Sequence, residues 1–268
     1  MPVLTNIPAC APPETRRIRM KIVIDDKIPY IRDAVDRLGV EAVYMPGSGI
    51  SPADVRDADA LIVRTRTRCD KSLLGGSRVS FVATATIGYD HIDTRYMDEA
   101  GITWMNCPGC NSSSVAQYMR SVLILLKNEK GMNPAGTTIG VVGCGHVGSK
   151  VAGVARQAGM RVLVCDPPLE LSGTAAGQYS FATLADIARE CDIITFHVPL
   201  TKDGPHATYH LADKDFMESL RRCPVIINTS RGSVVDNDAL ADALYINKVR
   251  DAVIDTWENE PDISLRLL

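Results

Sequence analysis

Gly143-Cys144-Gly145-His146-Val147-Gly148 is a G-x-G-x-x-G, and its surroundings give it a chemistry. Residues 139–142 before it are an apolar run that reads as a buried strand. After it, Val147, Val151, Val154, Ala155 and Ala158 recur at helical spacing until Gly159 stops the helix, and residues 161–165 form a second strand closed by Asp166. In such a unit the first glycine, Gly143, allows the tight turn out of the strand. The second, Gly145, leaves the backbone bare for a pyrophosphate, and the third, Gly148, lets the helix pack closely on the sheet. The helix N-terminus then faces the phosphates with free N–H groups and the positive end of its dipole. Asp166 stands where a carboxylate accepts hydrogen bonds from a ribose diol. It would also repel a 2′-phosphate, and Pro167-Pro168-Leu169 offers no arginine to welcome one, so the pattern predicts NAD over NADP.

A nicotinamide enzyme acting on a hydroxy acid also needs a cation for the carboxylate, a base for the hydroxyl proton and a group that tunes the base. Arg231, just past the apolar run 225–228, is the candidate clamp, because its planar fork matches a carboxylate bidentately. In Trp257-Glu258-Asn259-Glu260-Pro261 either glutamate is placed to orient an imidazole. Arg64-Thr65-Arg66-Thr67-Arg68 puts three arginines into five residues after a strand and is a candidate phosphate loop. Cys107-Pro108-Gly109-Cys110 is a C-x-x-C, yet no second pair completes a metal set, so two reduced thiols and no metal are expected.

These residues need elements to hold them. From Met20 strands at 21–24, 41–45, 61–63, 79–85 and 102–106 alternate with short helices, one opened by Pro29 and ended by Gly39, another capped by Ser51 with Pro52 at its first position. That alternation is the signature of a parallel sheet covered on both faces. A long apolar helix from Ser113 to about Glu129 is read as a link between two domains. The second half repeats the alternation, with strands at 139–142, 161–165, 192–196, 225–228 and 251–254 and helices near 184–189 and 214–220. A further helix follows Arg231, capped by Asp236 or Asn237. Arg64, Thr86, His197, Arg231 and Asp255 all fall at or just past strand ends, where ligands bind in open parallel sheets, so a cleft between the two sheets is expected.

The chain has 268 residues, enough for one large or two medium domains, and is 46% hydrophobic and 23% charged, as a globular protein is. A formal net charge of −3 without a basic stripe argues against nucleic acid, and no apolar run reaches membrane-spanning length. Residues 1–19 hold four prolines and no apolar core of a signal peptide, and read as a disordered extension, or the product of an upstream start codon, before a fold that begins at Met20. Eight cysteines, several of them in apolar strands, suit the reducing cytoplasm.

From Met20 onward the chain resembles the D-isomer-specific 2-hydroxyacid dehydrogenases. The resemblance rests on Pro108-Gly109-Cys110-Asn111 with Ser114-Val115-Ala116, and on the glycine motif with Asp166. It continues in His197-x-Pro199-Leu200-Thr201, Arg231-Gly232-x-Val234-Val235-Asp236, and Asp255 through Glu260-Pro261. Asp25-Asp26-x-Ile28-Pro29-Tyr30, residues 84–93 and Cys165-Asp166-Pro167-Pro168 suggest a branch acting on a phosphorylated hydroxy acid. The resemblance implies an α/β protein of two doubly wound parallel-sheet domains, a flavodoxin-like substrate domain at 20–112 and a Rossmann NAD-binding domain at 113–268. It implies that Arg231 and Glu260 belong to an Arg–Glu–His set, with substrate contacts at Thr65 and Thr86 beside Arg64. It implies NAD contacts at His146, Val147, Asp166, Val198, Thr229 and Asp255 in addition to the glycines, and a homodimer. His197 matches a residue of the cofactor wall and not the base. The family's histidine follows the glutamate, so the natural polypeptide is expected to continue past Leu268 and supply it. Two alternatives stay open: a sibling dehydrogenase for 3-phosphoglycerate or glyoxylate/hydroxypyruvate, and an NAD-sensing binding protein without catalysis.

Overall fold

The computed structural model describes residues 20–175, 177–260 and 262–267. The expected extension at 1–19 lies outside them. The chain divides into two units, the first running to Asn106 and the second beginning at Cys107.

The first unit runs β1 (Lys21–Asp25), α1 (Ile31–Val35), β2 (Glu41–Met45), α2 (Pro52–Val55), β3 (Ala60–Val63), α3 (Lys71–Leu74), β4 (Phe81–Thr84), α4 (Thr94–Ala100) and β5 (Thr103–Met105). Its strands form one parallel sheet in the order β2-β1-β3-β4-β5, the flavodoxin-like order. Successive residues of β1 go to opposite faces. Val23 joins a core with Leu61, Val63, Val82 and Met97, while Ile22 and Ile24 join a second with Ile28 and Val35. Two buried faces explain why the strand reads as a continuous apolar run and does not alternate with polar residues.

Local detail departs from expectation at one helix. Pro29 does not open α1. Tyr30 takes a left-handed φ of 59°, and the helix starts at Ile31 before tightening into a 3-10 turn over Asp36–Leu38 that Gly39 ends with φ 65°. Ser51 behaves as predicted, forming a capping box with Asp54.

The second unit opens with α5 (Ser112–Lys130) and continues β6 (Thr138–Val142), α6 (Gly148–Gln157), β7 (Arg161–Cys165), α7 (Pro167–Ser172), α8 (Leu184–Glu190), β8 (Ile193–Phe196), α9 (Lys214–Ser219), β9 (Val225–Asn228), α10 (Asn237–Tyr245) and β10 (Asp251–Ile254). The strand order β10-β9-β8-β6-β7 is again all parallel. One more segment lies outside β7, where Phe181 bridges Val164, the Val164 N–H donates to Ser180 and the Ala182 N–H to Val164. Counting it as a strand reduced to a single bridge gives the six-strand order of a Rossmann domain.

The helix predicted as a link belongs to this unit's core. Met119, Val122, Leu123 and Leu126 of α5 pack with Val151, Ala152 and Ala155 of α6 against Ile139, Val141, Ile193 and Ile227. The opposite face is covered by α8, α9 and α10, with Ile187, Phe216, Met217 and Leu240 against Ile194, Phe196 and Ile226. A Cβ on Gly140 would come within 2.7 Å of the Ile187 side chain, so this glycine in the central strand lets α8 approach.

Candidate functional site

The glycine turn is built as its spacing predicts. Gly143 has φ 84°, and a Cβ there would lie 2.7 Å from both the His197 carbonyl and Val198 Cγ1. A Cβ on Gly148 would sit 1.9 Å from the Gly143 carbonyl oxygen, so α6 can start against the turn only with glycine. Gly145 differs, because a Cβ there meets nothing within 4 Å. The fold does not require glycine at 145, and the open space in front of it is a cradle that a side chain would fill. That is the fit expected of a pyrophosphate resting on bare backbone. His146 is exposed, and its ring lies 2.9 Å from where Gly109 would carry a Cβ, so the Cys107–Cys110 turn packs beside the cradle. Both of its thiols are free and exposed.

Asp166 ties the turn together. Its Oδ2 accepts from the Cys144 N–H at 2.7 Å and its Oδ1 from the Leu169 N–H at 3.0 Å, which caps α7 over Pro167-Pro168. Each oxygen keeps acceptor capacity for a ribose hydroxyl.

The wall beyond β8 and β9 is held by side chains. His197 has both ring nitrogens in contact with hydroxyls, Nε2 at 2.9 Å from Thr195 Oγ1 and Nδ1 at 3.1 Å from Thr229 Oγ1. Burial pushes its pKa down to about 4. A neutral imidazole with both nitrogens held fixes Thr229 and is a poor base. Asp255, exposed just past β10, extends the ladder by donating its N–H to the Asn228 carbonyl.

Arg231 stands half-buried on the loop after β9, where its Nη1 donates to the Ser230 carbonyl at 2.9 Å. Asn228 shapes that loop. It is fully buried, its amide donates to the Arg231 carbonyl at 2.9 Å, and its Oδ1 accepts from the Ser230 N–H and hydroxyl. A polar residue ending an apolar strand was the available signal, and sequence reasoning passed over it. Gly232 lies against the other loop, where a Cβ would be 2.0 Å from the Trp257 carbonyl oxygen and 2.5 Å from the Glu258 nitrogen. The loop of Arg231 and the turn of Glu260 are therefore in backbone contact. Glu260 is exposed and closes its own turn by accepting from the Trp257 N–H at 2.7 Å, with Asn259 left-handed at φ 59° between the glutamates. Of the two glutamates it is Glu258 that meets an imidazole, that of His210.

In the first unit, Arg64, Thr65 and Thr86 lie past the ends of adjacent strands β3 and β4. Arg64 Nε is anchored 3.1 Å from the buried carboxylate of Asp25, so Arg66, exposed, is the freer cation of the loop. Thr86 is oriented by Thr84 at 2.7 Å and donates to the Gly88 carbonyl at 2.8 Å, while Thr84 is 2.9 Å from His91 Nε2.

A parallel sheet with helices on both faces, a glycine turn entering a helix and an acid closing the next strand define a dinucleotide-binding domain of the Rossmann class. The family model described as "D-isomer specific 2-hydroxyacid dehydrogenase, NAD binding domain" matches residues 113–267. The chain belongs to the D-isomer-specific 2-hydroxyacid dehydrogenases, and the dinucleotide of its second unit is NAD. It is 57% identical over 249 residues to a protein of Bacteroides fragilis named erythronate-4-phosphate dehydrogenase, covering 93% of this chain and 71% of that one. The protein of the same name from Salmonella paratyphi B is 42% identical over 93% of this chain and 65% of its own length. Among solved structures, D-lactate dehydrogenase of Aquifex aeolicus, crystallised with NAD and lactic acid, superposes with a TM-score of 0.75 at 25% identity over 90% of this chain and 78% of that one.

Proposed function

We propose that this chain oxidises 4-phospho-D-erythronate with NAD to (R)-3-hydroxy-2-oxo-4-phosphooxybutanoate, a step of vitamin B6 biosynthesis. The observation that carries the reading is the 57% identity to a protein named for that reaction, spread over both units of this chain. When bound, NAD supplies the acceptor for the hydride leaving C2. Gly145 and the start of α6 hold its pyrophosphate, Asp166 its ribose, and Val198, Thr229 and Asp255 border the nicotinamide.

Arg231 clamps the substrate carboxylate through its planar fork, and the buried amide of Asn228 holds the clamp's backbone in place. Glu260 serves as the partner that keeps an imidazole base charged once it has taken the hydroxyl proton. Neither His197 nor His210 fills that place, because each ring is already engaged at both nitrogens. Thr65 and Thr86 bind substrate hydroxyls, and Arg66 with Arg64 receives the phosphate. The exposed apolar residues Tyr118, Ile124 and Leu125 on α5 support a homodimer, and the free cysteines support the cytoplasm. No helix among the described residues is long and apolar enough to cross a membrane.

The test is a comparison of 4-phospho-D-erythronate with 3-phosphoglycerate and glyoxylate in the NAD-linked assay. The phosphorylated erythronate should give the highest kcat/KM. A higher value for 3-phosphoglycerate would reassign the substrate, and NAD binding by the natural polypeptide without turnover of any of the three would favour a sensor.

A further inference from the structure

His210 has no role in the reaction proposed above, yet the chain accepts strain to place it. Its φ is 48°, a left-handed backbone in which a Cβ crowds the following carbonyl. Its N–H donates to the Ser233 carbonyl at 2.7 Å, which ties it to the loop that Arg231 begins. Its ring stacks on Tyr209 with centroids 4.1 Å apart, and the Lys202 ammonium lies 5.5 Å from the Tyr209 ring centre. The two nitrogens reach in different directions along the chain. Nε2 is 2.6 Å from Glu258 Oε1, and Nδ1 is 3.6 Å from Asp236 Oδ2. Glu258 belongs to the turn that carries Glu260, and Asp236 ends the loop of Arg231 and caps α10. Glu258 Oε2 also accepts from the Asn237 N–H at 3.4 Å.

We propose that His210 is a positioning residue: its imidazole bridges Glu258 and Asp236 and so fixes the spacing between Arg231 and Glu260. The inference rests on the roles proposed for those two residues. The contact of Gly232 with the Trp257 backbone sets how close the loops come, and the Asn237 N–H holds Glu258 Oε2. The imidazole adds a side-chain attachment between the turn of Glu258 and Asp236. The titratable and charged groups facing the ring are Glu258, Asp236, Tyr209 and, across Tyr209, Lys202. Nε2 is hydrogen-bonded to Glu258, and Nδ1 faces Asp236 at 3.6 Å, beyond hydrogen-bond reach but within ion-pair range.

Trp257 adjoins Glu258 and is one of two tryptophans, so a Trp104→Phe background leaves it as the sole tryptophan. In that background His210→Asn should shift Trp257 emission and raise its access to acrylamide, because the turn that carries it loses an attachment. Asparagine tolerates the left-handed backbone, and Glu258→Gln reads the same contact should His210→Asn fold poorly. In the enzyme assay each variant should lower kcat/KM about tenfold with NAD affinity within twofold of wild type. The double variant should be no worse than the poorer single, since both break one bridge. Emission and quencher access that His210→Asn leaves unchanged overturn the bridge. Losses that multiply to about a hundredfold overturn the coupling. The fluorescence arm needs no turnover, so it stands or falls separately from the substrate assignment.

Discussion

At the scale of single residues, the three glycines of the turn carry different duties, and substitution separates them. Gly145 faces open space and Gly148 faces the Gly143 carbonyl. Gly145→Ala should leave stability within about 0.5 kcal/mol of wild type, as an unobstructed surface change does, yet weaken NAD binding tenfold or more. Gly148→Ala should cost about 3 kcal/mol or more, because backbone must move. Urea midpoints and NAD titrations of the pair decide it, and a Gly145→Ala protein that binds NAD normally removes the pyrophosphate from this cradle. Asp166 makes the cofactor preference testable without mutation. Its two oxygens also hold the Cys144 and Leu169 N–H groups, so replacing it would confuse specificity with a lost cap. Titrating the native protein with both cofactors should show NAD binding the tighter, and tighter NADP would sink the role of Asp166. Arg231→Lys keeps the charge and loses the fork, so kcat/KM should fall at least about a hundredfold, roughly 2.7 kcal/mol at the transition state. NAD affinity should hold. Activity within threefold of wild type would remove Arg231 from the clamp.

At the scale of elements, the sequence discloses whatever has a local pattern. The strands of both sheets are legible because each is a short run rich in apolar residues, and the glycine turn because strand, turn and helix follow in order. The outermost segment of the second sheet is not legible, since one bridge at Phe181 leaves no strand-length pattern. Helix α7 was missed because Pro167-Pro168 reads as a breaker, although a preceding Asp and proline in the first turn are a helix start. The packing partners of α5 are not legible, because an amphipathic stripe says that a helix packs and not against what. Asn228 and the His210–Glu258 pair depend on contacts formed across loops, 48 residues apart in the second case, which no local pattern records. The core that α9 and α10 cover is also testable. Phe196 is fully buried, with its ring edge-on to Phe216 at 6.1 Å, and Phe196→Ala should cost about 3–5 kcal/mol. A denaturant midpoint unchanged by that substitution would mean the α9–α10 face is not packed as described.

At the scale of the whole molecule, buried titratable groups bound the pH range in which the fold is most stable. His197 has its pKa lowered from 6.5 to about 4 by burial, so between those values the unfolded chain binds the proton that the folded chain refuses. Stability therefore rises with pH through that window, and acidification from pH 7 towards 4 removes up to about 3 kcal/mol on this account. The alkaline side has the opposite cause. Burial pushes the thiol of Cys69 in the first unit up to about 12, and those of Cys165 and Cys191 in the second to about 11 and about 12. An unfolded thiol titrates near 9.0, so above that value the unfolded chain releases protons that the folded chain keeps. Each buried thiol then costs about 1.4 kcal/mol by pH 10, one pH unit past its ordinary titration. Stability should peak between about pH 6.5 and 9. Urea midpoints across pH 4 to 10 measure the curve, and two variants assign its limbs. His197→Gln should flatten the acid limb while keeping a partner for Thr229. Cys191→Val should lose less stability than wild type between pH 8 and 10, by about the share of one thiol. If both variants track wild type at each pH, burial of these groups does not set the limits, and the paired surface carboxylates and tyrosines do.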